Sequence, residues 1–309
     1  MGWFSVVIRF SCATAGRPAV QTWQATLTAG QPSSGTLSNK SNPMAKFSDQ
    51  VIVITGASTG IGRALAVELA LQRPRLVLAA RDVKRLEEAA GECKQLGADV
   101  LVVPTDVTDA EQCRALVART IERYGRLDVL VNNAGRAMWA RFDELQDLAV
   151  IEDVMRLNYL GSVYCTHHAL PHLKQSRGQI VALASVSGLV GAPMLSGYAA
   201  SKHAVIGFYE SLRIELRETG VCVTIIAPDF VQSEILSRAV DAEGKPIDTS
   251  PLDQRKMLTA EACARRIVKA MTRRERLVLT SARSAWARWG QLLAPKLVDR
   301  ISAAAVRGD

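Results

Sequence analysis

Tyr198 and Lys202 stand four residues apart in the run Tyr198-Ala199-Ala200-Ser201-Lys202. On a helix, positions i and i+4 share one face. A phenol titrates near about 10, too high for easy proton exchange at neutral pH. A neighbouring ammonium favours the phenolate and lowers that value. The pair is therefore a candidate proton donor and acceptor, although the same spacing also describes an ordinary surface pair. Ser185 follows the apolar run 180–184 and precedes Tyr198 by thirteen residues. A hydroxyl at the carboxyl end of a buried strand faces the ligand crevice of an open sheet. There it can hold a substrate oxygen and stabilise developing charge. Ser187 is its neighbour and competitor. Asn158 is an amide inside an otherwise helical run, and its bland reading is a side chain bonded to backbone that bends the helix.

A second set of residues points to a nucleotide. The apolar run 51–55 leads into Gly56-Ala57-Ser58-Thr59-Gly60-Ile61-Gly62, and a helix with Ile61, Leu65 and Leu69 on one face follows. Glycines let the backbone turn sharply and approach a ligand closely. The helix start offers free N–H groups and a positive dipole end to a pyrophosphate. The spacing is GxxxGxG, and no Lys-Ser/Thr pair follows the last glycine, which argues against a P-loop NTPase. The next apolar run ends in Ala79-Ala80-Arg81-Asp82. A carboxylate at that strand end would bind a ribose 2′-hydroxyl and repel a 2′-phosphate. Here Arg81 offers a guanidinium suited to phosphate, which favours NADP(H), while Asp82 is placed to cap the following helix. Asn132-Asn133-Ala134-Gly135 closes a further apolar run with small and amide residues that admit a cofactor.

These residues need a scaffold. Runs 51–55, 75–80, 100–104, 129–132, 180–184 and 221–227 are short and nearly continuous in Val, Ile, Leu and Ala, as strands covered on both faces are. Stretches 83–96 and 110–124 between them are long enough for helices. This alternation predicts an α/β fold, a doubly wound parallel sheet in a single domain, with 277–280 as a last strand.

Of the 309 residues, 48% are hydrophobic, enough for a large core, and the formal charge of +8 sits at the ends. Residues 265–309 carry +8, residues 1–48 carry +4, and the stretch between them carries −4. A basic balance so distributed does not mark the body as nucleic-acid binding. The six cysteines form no CxxC pair and no zinc spacing. Scattered cysteines fit a reducing compartment, and the expected location is cytoplasmic. Residues 1–43 are rich in Ser, Thr, Ala, Gly and Gln and lack acidic residues. They resemble a transit peptide in composition or an upstream extension without structure. Residues 281–309 form a basic extension in which Trp286, Trp289, Leu292, Leu293, Leu297, Val298 and Ile301 recur at helical spacing among Arg283, Arg288, Lys296 and Arg300. Pro295 divides the pattern into two short helices. Such a stripe packs on the body or a partner subunit, or lies in a membrane interface as a peripheral contact.

In order and spacing, Gly56, Gly60, Gly62, Asp106, Asn132 to Gly135, Asn158, Ser185, Tyr198 and Lys202 resemble the short-chain dehydrogenases/reductases over about residues 46–280. The resemblance implies a Rossmann fold at 44–280 and hydride transfer between NADP(H) and a small-molecule alcohol or carbonyl. It implies Tyr198 as general acid/base, Lys202 on the nicotinamide ribose, Ser185 on the carbonyl and Asn158 supporting a proton relay. Gly56, Ser58, Thr59, Gly60, Ile61, Gly62, Arg81, Asp106, Val107, Asn133, Ala134, Gly135, Tyr198, Lys202 and Pro228 would hold the cofactor, with Asp106 and Val107 near the adenine. No metal is needed, because the nicotinamide carries the hydride. A homodimer or homotetramer through the Tyr198 helix is also implied. Ser185-Val186-Ser187-Gly188, Gly191-Ala192-Pro193-Met194 and the basic carboxyl end look most like the hydroxysteroid dehydrogenase branch. One departure stands out: the family shows Pro-Gly where this chain has Pro228-Asp229. The segment 230–257 is expected to form a substrate lid. Two other classes compete. A hydrolase lacks support, since no G-x-S-x-G elbow surrounds Ser185 or Ser187. A non-catalytic NADP(H)-binding scaffold is argued against by the intact Ser185, Tyr198, Lys202 and Asn158.

Overall fold

A computed structural model of the protein describes residues 46–248 and 257–307. The extension 1–43 and part of the expected lid, 249–256, lie outside the described residues.

Seven parallel strands make one sheet: β1 (Val51–Thr55), β2 (Arg75–Ala80), β3 (Asp99–Pro104), β4 (Val129–Asn132), β5 (Gln179–Leu183), β6 (Cys222–Ala227) and, at its edge, β9 (Leu277–Leu279). Their spatial order is β3-β2-β1-β4-β5-β6-β9. β1 pairs with β2 on one side (Val53 opposite Val77) and with β4 on the other (Val53 opposite Leu130). Chain order reverses at the β1/β4 junction, the place where an open sheet forms a ligand crevice.

Alternation within β1 feeds two cores. Ile52 and Ile54 face one layer, packing with Leu65 and Leu69 of α1 (Gly60–Ala70), Leu86 of α2 (Val83–Gln95) and Met271 of α8 (Ala260–Arg273). Val51 and Val53 face the other, with Leu116 of α3 (Ala110–Tyr124), Leu173 of α5 (Gly161–Ser176) and Tyr209 of α6 (Ser196–Glu215). A strand so enclosed has no solvent face, which is why the runs read as continuously apolar. The helices begin and end by local chemistry. Asp82 caps α2 by accepting from Arg85 N (3.1 Å), and Asp109 caps α3 by accepting from Glu111 N (2.8 Å). Gly125 ends α3 at φ +72°, a conformation glycine adopts without strain.

Smaller elements rim the carboxyl edge of the sheet. Helix α4 (Ala149–Met155) runs through a π turn (Arg156–Leu160) into α5. Beyond β6 come β7 (Val231–Gln232) and α7 (Glu234–Ser237), and β7 pairs with β8 (Leu258–Thr259). Helices α9 (Ala282–Leu293) and α10 (Pro295–Arg307) follow, with Pro295 as the first residue of the second helix, where its missing N–H costs nothing. Ala287 of α9 and Val298 of α10 pack with Val186, Leu189 and Val190, the residues just after β5. The opposite face of the pair is open, with Trp289 61% and Leu293 84% exposed. Of the stripe residues, Val298 packs on the body, whereas Trp286, Trp289, Leu292, Leu293, Leu297 and Ile301 are exposed.

Candidate active site

The glycine-rich turn is held from below. Thr55, the polar last residue of β1, donates its hydroxyl to Val131 O (3.3 Å) and accepts from Asn133 N (3.0 Å) and Ala134 N (3.1 Å). Asn133 returns the contact, its amide donating to Thr55 O (2.9 Å) and Gly56 O (3.1 Å). The backbone of Gly56 is left-handed at φ +65°, and a Cβ there would stand 2.9 Å from Ala134 Cα. Glycine is required on both counts. Ser58 is buried in the turn, and Thr59 makes no side-chain cap hydrogen bond at the start of α1, so the first N–H groups of that helix are left for a ligand. Asn133 therefore braces the turn, and it also lines the cleft beside it. Thr55 braces the turn too and had not been singled out; its signal was a polar residue ending an apolar run.

At the adenosine end, β2 finishes in buried Ala79 and Ala80, and Arg81 stands beyond it with its side chain 68% exposed and 3.8 Å from the Asp106 carboxylate. Asp106 also accepts from Thr108 N (3.0 Å) and Thr108 Oγ1 (2.8 Å), which fixes the turn after β3. Val107 is buried against Gly161 at the start of α5.

The reacting residues meet at the carboxyl ends of β4 and β5. Ser185 follows β5 and begins a short 3-10 turn (Val186–Gly188), its hydroxyl accepting from Ser187 N (3.2 Å). A Cβ on Gly188 would lie 2.7 Å from Lys202 O, so the bare glycine lets this turn close on α6. Tyr198, Ser201 and Lys202 of α6 are all buried. Tyr198 and Ser185 line the same cleft, and Ser185 is the polar side chain that acts on the Tyr198 phenol. Lys202 Nζ donates to Leu183 O (2.8 Å) and stands 5.7 Å from the centre of the Tyr198 ring. Burial raises the Tyr198 phenol above its ordinary value, and the neighbouring Ser185 hydroxyl opposes that rise. Burial also draws the Lys202 ammonium down to about 8. The net direction for Tyr198 is upward, because burial exceeds the opposing effect of Ser185, while Lys202 has itself lost basicity to desolvation.

Asn158 lies in the π turn, a helix irregularity frequent at functional sites. Its amide donates to Arg136 O (3.0 Å) and Ser201 Oγ (2.9 Å), and its carbonyl accepts from Arg136 N (2.8 Å). Ser201 in turn donates to Tyr198 O (2.7 Å). The side chain therefore bonds to backbone, as its bland reading required, and it ties the segment after β4 to α6.

Ile61, Asn133, Gly135, Ser185, Ser187, Tyr198, Lys202 and Pro228 share one cleft. Asp229 and Phe230 also line it. The Asp229 carboxylate accepts from Phe230 N (2.9 Å), Ser281 Oγ (2.7 Å) and Arg283 Nε (3.0 Å). Burial pushes this carboxyl up, but the hydrogen bonds from Arg283 and Ser281 outweigh it and hold the group below its ordinary value. In the sequence Arg283 figures only among the cations of the carboxyl-terminal stripe and Ser281 has no role, because only folding brings the two to residue 229.

The chain is similar in sequence and fold to known proteins. A model of the family described as short chain dehydrogenase matches residues 50–244. The chain is 39% identical over 259 residues to "11-beta-hydroxysteroid dehydrogenase A" of Sesamum indicum, covering 81% of this chain and 73% of that protein. It is 39% identical over 260 residues to "11-beta-hydroxysteroid dehydrogenase-like 4A" of Arabidopsis thaliana, covering 82% and 83%. Among solved structures, a short chain dehydrogenase/reductase from Burkholderia phymatum in complex with NAD superposes with a TM-score of 0.71 at 27% identity, over 82% of this chain and 96% of that one. An alcohol dehydrogenase from the archaeon Thermococcus sibiricus complexed with 5-hydroxy-NADP gives a TM-score of 0.64 at 28% identity, over 74% and 95%. Sheet order, nucleotide turn and sequence agree, and the chain belongs to the short chain dehydrogenase family of NAD(P)-dependent oxidoreductases.

Proposed function

We propose that the chain interconverts an alcohol and a carbonyl with NADP(H), on a bulky apolar substrate of the steroid or lipid type. The observation that carries the reading is the meeting of Ser185, Tyr198 and Lys202 in one cleft beside the glycine turn. A bound nicotinamide supplies or accepts the hydride. Tyr198 donates its phenolic proton to the carbonyl oxygen in reduction and takes it back in oxidation. The Ser185 hydroxyl, in the same cleft as Tyr198, holds that oxygen. Lys202 binds the nicotinamide ribose and compensates charge on Tyr198. Asn158 positions Ser201 and α6, and with them the path of the proton. The preference for the 2′-phosphorylated cofactor rests on Arg81 beyond a strand end without a carboxylate. The substrate class rests on the printed names of the plant relatives and on the apolar wall of Leu195, Phe230, Val231 and Ile235. The test is turnover of an 11-oxosteroid and of benzaldehyde with NADPH and with NADH. Faster use of the steroid with NADPH is expected. A chain that binds NADPH but reduces neither compound is the scaffold reading instead.

The uncovered face of α9 and α10 supports a second property, contact with an anionic lipid surface. Trp286, Trp289, Leu292, Leu293, Leu297 and Ile301 are exposed there, and Lys296 and Arg300 lie among them. Aromatic and aliphatic side chains flanked by cations suit the headgroup boundary. Among the described residues no helix is long and apolar enough to cross a membrane. Co-sedimentation with phosphatidylglycerol vesicles should pellet the protein at low salt and fail for Trp289→Ser/Leu293→Ser. A soluble wild-type protein overturns it, and a change of oligomeric state in that variant points instead to the homodimer or homotetramer of the family.

A further inference from the structure

The proline after β6 is followed in this chain by Asp229, where the resemblance leads one to expect glycine, and the structure gives that carboxylate three sets of donors. It accepts from the backbone of its own loop at Phe230 N (2.9 Å), from Ser281 Oγ at the cap of α9 (2.7 Å), and from both Nε and Nη2 of Arg283. Asp229 N donates to Thr280 Oγ1 (2.9 Å), so backbone and side chain of one residue both reach the segment that leads into α9. The Arg283 guanidinium also lies 5.3 Å from the centre of the Phe230 ring. One arginine thus grips two consecutive residues of the cleft wall. A bidentate arginine–carboxylate pair fixes direction as well as distance. The loop passes this constraint inward, since Pro228 O accepts from Val186 N (2.8 Å), one residue beyond Ser185.

From this chain of contacts we propose that Asp229 and Arg283 are positioning residues for the reaction: the pair sets the placement of Pro228 and Phe230 over the substrate side of the cleft, and so makes α9 part of the active-site wall. The inference rests on the oxidoreductase reading for its kinetic consequence, but not for its structural one. The two members are unequal. The Asp229 side chain is 11% exposed and that of Arg283 52%. Removing the arginine strands a buried carboxylate, whereas removing the carboxylate leaves a guanidinium that water can reach. Arg283→Met should therefore do more damage than Asp229→Gly, and adding Asp229→Gly to Arg283→Met should restore part of what was lost. A simple loss of packing has no such sign reversal.

The experiment uses the full chain and the four proteins of this cycle, with Arg283→Lys as the conservative variant. Turnover of an 11-oxosteroid with NADPH, NADPH binding by fluorescence, melting temperature and amide exchange are measured on each. Arg283→Met should raise KM for the steroid by about fivefold or more, as small misplacements at a reacting centre do. NADPH affinity should stay within about twofold, because Arg283 spends its contacts on Asp229 and Phe230 and not on the glycine turn. Exchange in 186–190 and 228–235 should quicken, and Arg283→Lys should fall between the two. A fall in melting temperature with KM and exchange in the cleft unchanged overturns the proposal, since the pair would then act on stability alone. Strictly additive effects in the cycle overturn it as well. If the wild type reduces no carbonyl, the functional reading fails by itself, and the exchange data still decide whether the pair orders the wall.

Discussion

Lys202 reaches from the second turn of α6 to the carbonyl oxygen of Leu183, the last residue of β5, at 2.8 Å. Ser185 follows two residues later, and Tyr198 precedes Lys202 by one helical turn. One hydrogen bond therefore sets the spacing between the strand that carries the serine and the helix that carries the tyrosine.

Tyr198→Phe deletes only the exchanging hydroxyl. Turnover is expected to fall by about 10²–10⁴-fold, the range typical of a general acid/base. NADPH binding and melting temperature should hold. A purified variant with near wild-type turnover would remove Tyr198 from the chemistry.

Lys202 titrates at about 8 in the fold against an ordinary 10.5. Between those values the unfolded chain keeps a proton that the folded chain has lost. Stability conferred by this group therefore rises with pH across that window and is lowest below pH 8. The buried Cys93 and Cys263 thiols, both pushed up to about 12, pull the other way at alkaline pH. The difference between wild type and Lys202→Met isolates the lysine. In urea unfolding, the wild type should gain on the variant from about pH 8 upward. NADPH affinity of the wild type should decline over the same rise, as the ammonium that meets the ribose is lost, and the variant should show no such decline.

Arg81→Ala should weaken NADPH and spare NADH. The expected loss is about 1.5–3 kcal/mol, the worth of one hydrogen bond to a charged group. The Asp106 partner adds little to stability, because that pair is exposed. Comparing kcat/KM for the two cofactors reads the effect. Equal losses with both would place Arg81 away from the 2′-phosphate.

Gly188→Ala puts a methyl group 2.7 Å from Lys202 O, with backbone on both sides of the clash. Overpacking of this kind typically costs about 1–3 kcal/mol. Both melting temperature and turnover should drop, because the turn bearing Ser185 must move off α6. Wild-type values in both would show that the turn has slack.

The parts of the site that lie close in sequence were legible before the fold. Tyr198 and Lys202 are one helical turn apart, and the glycines of the nucleotide turn are contiguous with a strand and a helix. Strand bounds shifted by one residue at most, as with β5 at Gln179–Leu183 against an expected 180–184. Contacts made across the fold were not legible. Asn158 finds Arg136 and Ser201, 22 and 43 residues away, and Asp229 finds Arg283, 54 residues away. Nothing local encodes those partners. The titration of Tyr198 is legible only in part: the charge of Lys202 is visible in sequence, but the burial that raises the phenol belongs to the tertiary structure.

The grip of Arg283 on Asp229 also orders events in time. Within this one domain β1 to β6 are synthesised before β9 and α9, and these strands can assemble while those residues are still missing. The wall of the cleft cannot. It waits for β9 to join β6 at Ile225, Ile226 and Ala227, and then for Ser281 and Arg283 to reach residue 229. A ribosome-bound chain would hold its phosphate turn formed and its substrate wall unfinished, so the nascent protein should bind nucleotide before it can select a carbonyl.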